Sequence, residues 1–330
     1  MPIVYPSAQQ FLGIAKETTP GTAAAPERYI PFRKFEPKDR AEILVDEGYR
    51  GSMAAEYGGV LGPRWAELEF GGVPFSDSVG DLLLNMLGGY GVSGTGPYTH
   101  TFSLLNNAQG QPPTHTFTHR QGITASTGAR AYPYTRISEL SLSGNAEGLL
   151  EYEAKAACFP SAPAADAPVN TPPTSSVTPA WRSSVSLGGT ASPAVLEWSV
   201  QMTREQVIDH TADGTQEPFA IGDGEIKVSG KLTVRASDAA PLAGEAPLTT
   251  FLAGTVQPLV ISVASDYGGV SGHSLTLTMT QCQFDAADLV QQTMFGYEIG
   301  FRAWANATDS GASGGLAPIT AVLVNAVTTY

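Results

Sequence analysis

Five histidines and a scatter of paired acids are the residues of this 330-residue chain whose types could do chemistry. His100 in PYTHTFSL and His115 and His119 in PTHTFTH lie in alternating, strand-like segments, and the shared THTF suggests a hairpin around NNAQGQPP. Positions four apart on a strand share a face but stand roughly 13 Å from each other. A zinc ion takes its ligands at about 2 Å, so His115 and His119 cannot share one. They read as polar residues on a strand's outer face, and no metal site is expected. Glu67/Glu69 and Glu151/Glu153 stand two apart, about 6.6 Å between their bases on a strand and within acid/base range. Nothing near them raises a carboxyl pKa, and such pairs are common on solvated faces. There is no His-Glu-x-x-His. Gly89-x-Gly91-x-x-Gly94 imitates a dinucleotide fingerprint, but that motif needs a strand entering and a helix leaving, and here a helix ends first. Its glycines read as a helix stop and a loop. Cys158 and Cys282, far apart and beside apolar segments, read as reduced, buried thiols. The expectation is no catalytic residue, no cofactor and no enzyme.

The elements that would position these residues are strands. Apolar residues make up 42%, charged residues only 15%, and 36 Gly and 24 Pro punctuate the chain. Regular helical periodicity is nearly absent, which indicates an all-β fold of short strands and turns. No secretory leader and no apolar run long enough to span a membrane is apparent, so synthesis in a cytoplasm is expected. The net charge is −13, with −4 in residues 1–160 and −9 in residues 161–330. That balance argues against a nucleic-acid binder, which needs basic patches, but suits a surface that DNA passes without sticking.

The chain reads as two tandem domains, 1–158 and 181–330, joined by a Pro/Ala/Ser-rich linker at 159–180. Trp65 to Phe70 alternates, with Ala66, Leu68 and Phe70 on one face and Trp65, Glu67 and Glu69 on the other. Ile226 to Arg235 repeats the pattern, with Ile226, Val228, Leu232 and Val234 opposite Lys227, Lys231 and Arg235. Each strand is followed by a short helix with a glycine stop: SDSVGDLLLNMLGG, capped by Ser76 or Asp77, and EAPLTTFLAG, with Pro247 in its first turn. Each is preceded by a long polar arm, at about 44–64 and 208–225. GTAAAP at 21–26 echoes GTASP at 189–193, and Tyr152-Glu153 echoes Tyr297-Glu298. The first arm carries Tyr49, Met53 and Tyr57 among Asp46, Glu47 and Arg50, a composition that interfaces prefer. The second carries Asp209, His210 and Asp213. Long loops of this kind are usually functional.

FLGIAKETTPGTAAAPERYIPF, DEGYRGSMAAEYG and SDSVGDLLLNMLGG resemble the opening of the major tail tube proteins of long-tailed, siphovirus-type bacteriophages. The resemblance is strongest over roughly residues 11–90. It implies two tandem β-sandwich or barrel-like domains, each with one short flanking helix, in a virion tail assembled in the host cytoplasm. Six such domains close a ring, so three two-domain chains suffice, and both arms reach the adjacent ring. Glu67, Glu69, Glu151 and Glu153 are candidates for a channel lining that repels DNA phosphates. The implied partners are further copies of the chain, other tail proteins such as terminator, tape measure and distal tail protein, and passing double-stranded DNA without specific binding; no membrane is implied. The alternative is a carbohydrate-binding β-sandwich of a virion or surface fibre. Trp181, Trp198 and Trp304 could build its platform, although Trp198 and Trp304 fit better as core.

Overall fold

Wherever apolar residues alternate regularly, the chain forms strand. The computed structural model describes residues 7–121, 128–164, 173, 175, 177–264, 272–291, 293–307, 309 and 315–330. In order, the elements are β1 (Phe11–Lys16), β2 (Arg28–Ile30), β3 (Lys34–Asp46), β4 (Gly58–Gly72), α1 (Val79–Leu87), β5 (Gly88–Ser93), β6 (Tyr98–Leu104), β7 (His115–Arg120), β8 (Ala129–Asn145), β9 (Leu150–Cys158) and β10 (Ala162–Pro163). They continue with β11 (Ser183–Leu187), β12 (Thr190–Ser192), β13 (Val195–Asp209), β14 (Ala220–Arg235), α2 (Ala246–Leu252), β15 (Val256–Ala264), β16 (Ser274–Gln291), β17 (Phe295–Ala303) and β18 (Thr320–Asn325).

Eight of the strands form one continuous antiparallel sheet in the order β3-β4-β9-β8-β13-β14-β17-β16. Behind its first four strands lies β2-β1-β7-β8-β10, and behind its last four β12-β11-β15-β16-β18-β6-β5. The long strands β8 and β16 belong to both layers. Each runs its first half through the rear sheet and its second half through the front one, with a bulge at Ser138 and at Asp285 near the change of sheet. One apolar core, from Leu12 to Tyr330, fills the space between the layers.

Seven pairings of the first half recur in the second in the same order. β1–β2, β1–β7, β3–β4, β4–β9, β7–β8, β8–β9 and β8–β10 correspond to β11–β12, β11–β15, β13–β14, β14–β17, β15–β16, β16–β17 and β16–β18. The registers agree residue by residue. Tyr152 lies opposite Leu142 as Tyr297 lies opposite Leu289, and Phe70 lies opposite Ala154 as Leu232 lies opposite Ile299. Leu68 therefore shares its ladder position with Gly230, not with Leu232, and the partners have traded volume. Leu68 faces Ala156, whereas Gly230 faces Phe301, whose ring would lie 2.4 Å from a Cβ at 230. The echo of GTAAAP in GTASP is accidental, since GTAAAP precedes β2 while GTASP lies largely within β12.

Several expectations need correction. The THTF segments form no hairpin with each other: β6 pairs with β5 and β18, and β7 with β1 and β8. The glycine-rich GGYGVS segment is strand β5, following α1 without a break because Gly88 turns the chain with a φ of 80°. α1 starts after Ser78 rather than Ser76 or Asp77. Ser76 is buried and bonded to His273 Nδ1 at 3.0 Å. Both arms are hairpins with long turns rather than loops throughout, because β3 and β4 pair as far as Asp46–Gly58 and β13 and β14 as far as Asp209–Ala220. Trp198 is core as expected, but Trp304 is half-exposed. Only part of the 159–180 segment lies among the described residues, and there β10 adds to the edge of β8.

The two halves also differ. β5 and β6 form a hairpin with no counterpart after α2, and β6 pairs with β18 of the second half. That hairpin helps bury α1 along its whole length, whereas α2 has only Pro247 buried.

Candidate assembly interface

Arm 1, the outer part of the β3–β4 hairpin, closes over residues 47–57. Asp46 organises the turn: its carboxylate accepts from Gly48 N at 3.0 Å and pairs with Arg50, and its carbonyl accepts from Tyr57 N at 3.0 Å. The Arg50 guanidinium lies 4.9 Å from the Tyr57 ring centre. Asp46, Arg50 and Tyr57 thus shape the tip, leaving Tyr49 and Met53 wholly exposed and Glu47 in solvent. Below the tip Ile43, Leu44, Val60 and Leu61 are also exposed, an apolar surface without cover among the described residues.

Arm 2, the outer part of β13–β14, ends differently. Phe219 N donates to the Asp209 carbonyl at 2.7 Å, and Asp213 accepts from Thr215 N and Oγ1, bonds that hold its carboxyl below the usual range. The turn lies on the base of arm 1. Gln216 Nε2 donates to the Leu61 carbonyl at 2.8 Å, Arg64 N donates to the Gln216 carbonyl at 2.8 Å, and His210 stands 6.1 Å from the Trp65 ring. His210 is therefore engaged within its own chain.

Where arm 2 leaves the sheet, a buried polar cluster ties the halves together. Arg136 Nη1 and Asp223 Oδ2 lie 2.8 Å apart with almost no solvent access. Gln206 Nε2 donates to Asp223 Oδ1 at 2.8 Å, and Gln111 Nε2 donates to the Asp223 carbonyl at 3.0 Å. Arg204 donates to the carbonyls of Met86 and Gly110, each at 3.2 Å. A buried pair of this kind gives weak net stabilisation when intact, but breaking it by removing one partner costs about 3–5 kcal/mol.

The solvent-side face of the eight-stranded sheet carries the four glutamates singled out above. Glu69 pairs with Lys34, Glu67 with Arg40 at 2.9 Å and Glu151 with Arg33, while Glu153 lines the same shallow groove as Lys155. Lys34 holds the Glu69 carboxyl below its ordinary range, the opposite of the shift an acid catalyst needs. Lys34 and Arg40 end the alternating charges of KFEPKDR, but pairing them with Glu69 and Glu67 of β4 required the register of the ladder. In the second half the same face presents Lys231 at the position of Glu69 and Glu298 at that of Glu153. The face therefore alternates in charge and is not uniformly acidic.

The histidines are not on an outer face. His100, His115 and His119 are buried, since β6 and β7 are covered on both sides. Asn85 Nδ2 donates to His115 Nδ1 at 2.8 Å, and burial pushes the imidazole pKa down to about 3. His119 lies 4.5 Å from the Phe35 ring, and burial takes it down to about 4. His100 bonds Tyr90 Oη, and its Nε2 lies within hydrogen-bond distance of Asn325 and Val327. Its pKa too is lowered by burial. Among the described residues no group of His, Cys, Asp and Glu could hold a metal ion. Among the described residues no helix is long and apolar enough to cross a membrane.

Sequence reasoning missed the clasp at Tyr330. Its ring packs on Gly80 of α1, its hydroxyl bonds Asn325 and Ser76, and Arg28 lies 4.7 Å above the ring centre. Arg28 also donates to Asp81 at 2.9 Å, and burial, partly offset by Arg28, takes the Asp81 carboxyl up to about 7. Apart from Asn325, the partners of Tyr330 lie some 250 or more residues away, so no local pattern could reveal them.

Compared with known proteins, residues 7–303 match the family model of the phage tail tube protein. No curated protein matches the chain.

Proposed function

The chain belongs to the phage tail tube proteins, a structural family of the virion tail whose members assemble with themselves and with other tail proteins, and from that premise we propose that it polymerises as stacked rings of three chains. The observation that carries this reading is the recurrence of seven strand pairings, which supports two copies of one tube domain in each chain. Each copy brings four strands to the front sheet, so three chains supply the six domains of a ring. Residues 1–158 and 181–330 are the two domains in this reading, with 159–180 as the linker between them.

Arms 1 and 2 project from the same sheet and meet the adjacent ring, with Glu47, Tyr49 and Met53 as the contacting residues of arm 1. Head-to-tail stacking of this kind does not close on itself and extends into a filament. The polar face of the front sheet lines the channel, with Glu67, Glu69, Glu151 and Glu153 among its residues. Because Arg33, Lys34, Arg40 and Lys155 there each pair with a glutamate, they offer DNA no unpaired basic track, and it passes toward the host without sticking. Ring formation and the terminator, tape measure and distal tail partners follow from the same reading.

Negative-stain electron microscopy of the purified protein, with sedimentation to count chains, tests it. Stacked rings with three chains per repeat are expected. Discrete monomers that bind a glycan saturably would replace the tube with a recognition module.

A further inference from the structure

Each half opens with the same short turn, and only one of the two turns has a seat. Ile14 pairs with Phe117 as Leu187 pairs with Leu259, and Phe117 and Leu259 both follow the bulge of their strand. That correspondence sets Ser7–Gln9 on Ala180–Arg182, and each segment forms a single 3-10 turn. Counting back from these turns, VYP at 4–6 falls on VTP at 177–179.

The start of the second half caps the β8–β9 turn of the first. The Thr178 carbonyl accepts from Leu150 N at 2.9 Å, Ala180 N donates to the Gly148 carbonyl at 3.0 Å, and Pro179 lies opposite Leu149. Thr178, Ala180 and Leu150 are buried. The matching turn joins β16 to β17. It sets Met294 and Phe295 at the places of Leu149 and Leu150, since Gln291 lies opposite Phe295 as Gly144 lies opposite Leu150. Phe295 is 57% exposed against 3% for Leu150, and Met294 is exposed as well. Ser7, the counterpart of buried Ala180, is exposed too.

We infer that residues 4–7 of one copy of this chain cap the β16–β17 turn of a second copy. Pro6 lies opposite Met294, the Tyr5 carbonyl accepts from Phe295 N, and Ser7 N donates to the Thr293 carbonyl. The inference rests on the ring proposed above, in which the half that follows a second half begins another chain. The chemistry of the segment fits the seat. Residues 1–6, which lie outside the described residues, read MPIVYP and bring no charged side chain, in a chain of net charge −13. Ile3, Val4 and Tyr5 are suited to cover an exposed Met-Phe pair. Pro179 holds an extended backbone at φ −73° and ψ 133°. A proline ring fixes φ near that value, so Pro6 is set to repeat it.

Cysteine cross-linking reads the contact directly, because residues opposite each other on antiparallel strands have Cβ atoms about 4.5–5.5 Å apart. The full-length chain carrying Pro6→Cys and Met294→Cys is assembled, oxidised mildly and run on a non-reducing gel; native Cys158 and Cys282 are buried. Covalent dimers and trimers are expected, in at least tenfold greater yield than from Pro6→Cys with Val92→Cys, an exposed site on β5. Leu149→Cys with Pro179→Cys makes the same contact inside one chain and sets the scale of full yield. As a second reading, Phe295→Cys is expected to react with a maleimide at least tenfold more slowly in rings than in monomers. A 6–294 link confined to single chains, or rings that form without it, overturns the cap and leaves the tube standing. Rings in which Phe295→Cys reacts as fast as in monomers do the same. Failure of the unaltered chain to form rings under any condition overturns both.

Discussion

Arm 1 and arm 2 grow from matching ladders with a bulge at the same place, yet arm 2 rests on its own chain and arm 1 ends in solvent. The difference lies at the base. Arm 2 is rooted in Arg204, Gln206 and Asp223, which reach across to Arg136, Gln111 and the end of α1. At the same positions arm 1 has Ala41, Ile43 and Leu61, which have nothing polar to reach with. A contact made within a chain can rely on a buried polar cluster, because its partners are always present when it folds. A contact awaiting another copy must leave its surface tolerable in water, and exposed aliphatic side chains cost less there than an unpaired buried charge.

The largest expected effect comes from removing the tips. Replacing residues 47–57 by two glycines leaves the midpoint of thermal unfolding within a few degrees but abolishes long tubes in the electron microscope. Replacing residues 210–219 in the same way also lowers the midpoint, because the contacts of Gln216 and His210 are lost. Equal unfolding of the two variants would erase the distinction between the arms. Next in size is Arg136→Met, which leaves Asp223 buried without its partner; a loss of about 3–5 kcal/mol is expected in urea unfolding.

Acid should act on the side of arm 1, since His119 lies against Phe35 of β3. Its folded pKa of about 4 lies below the unfolded value of about 6.5. The unfolded chain therefore binds more protons between these values, and the contribution is complete above pH 6.5 and lost as pH falls toward 4. The expected loss from His119 is about 2–3 kcal/mol, and His119→Phe removes that share of the slope in unfolding measured from pH 7 to 4, leaving the share of the buried His115 and His100. A slope unchanged in this variant would place the acid-sensitive group elsewhere. The smallest effect is that of Gln216→Ala, which removes one side-chain hydrogen bond between the arms and costs about 1 kcal/mol.

Regular alternation exposed both central strands and their faces: Ala66, Leu68 and Phe70 are buried, as are Val228, Leu232 and Val234. The glycine stops of both helices were equally plain, because Gly88 and Gly254 take positive φ. Register was not legible, because Leu68 with Ala156 and Gly230 with Phe301 fill the same space with opposite distributions of volume. The histidines misled for a related reason. THTF alternates like a half-exposed strand, but β7 lies between β1 and β8 with its faces covered, and a hydrogen bond from Asn85 to His115 and one from His119 to Gln10 Oε1 satisfy part of what burial demands. The arms were visible as long polar segments, but the seat of arm 2 on Leu61 and Arg64 depends on residues about 150 positions apart.

The number of chains in one ring tests the central claim most directly, since two matching halves per chain have structural meaning only if each fills one place in the ring. Image reconstruction of tubes assembled from the unaltered protein gives that number from their symmetry. Three chains per ring, with the two halves alternating around the channel at nearly equal spacing, is the predicted result. Six chains per ring, with the second halves outside the channel wall, would contradict it.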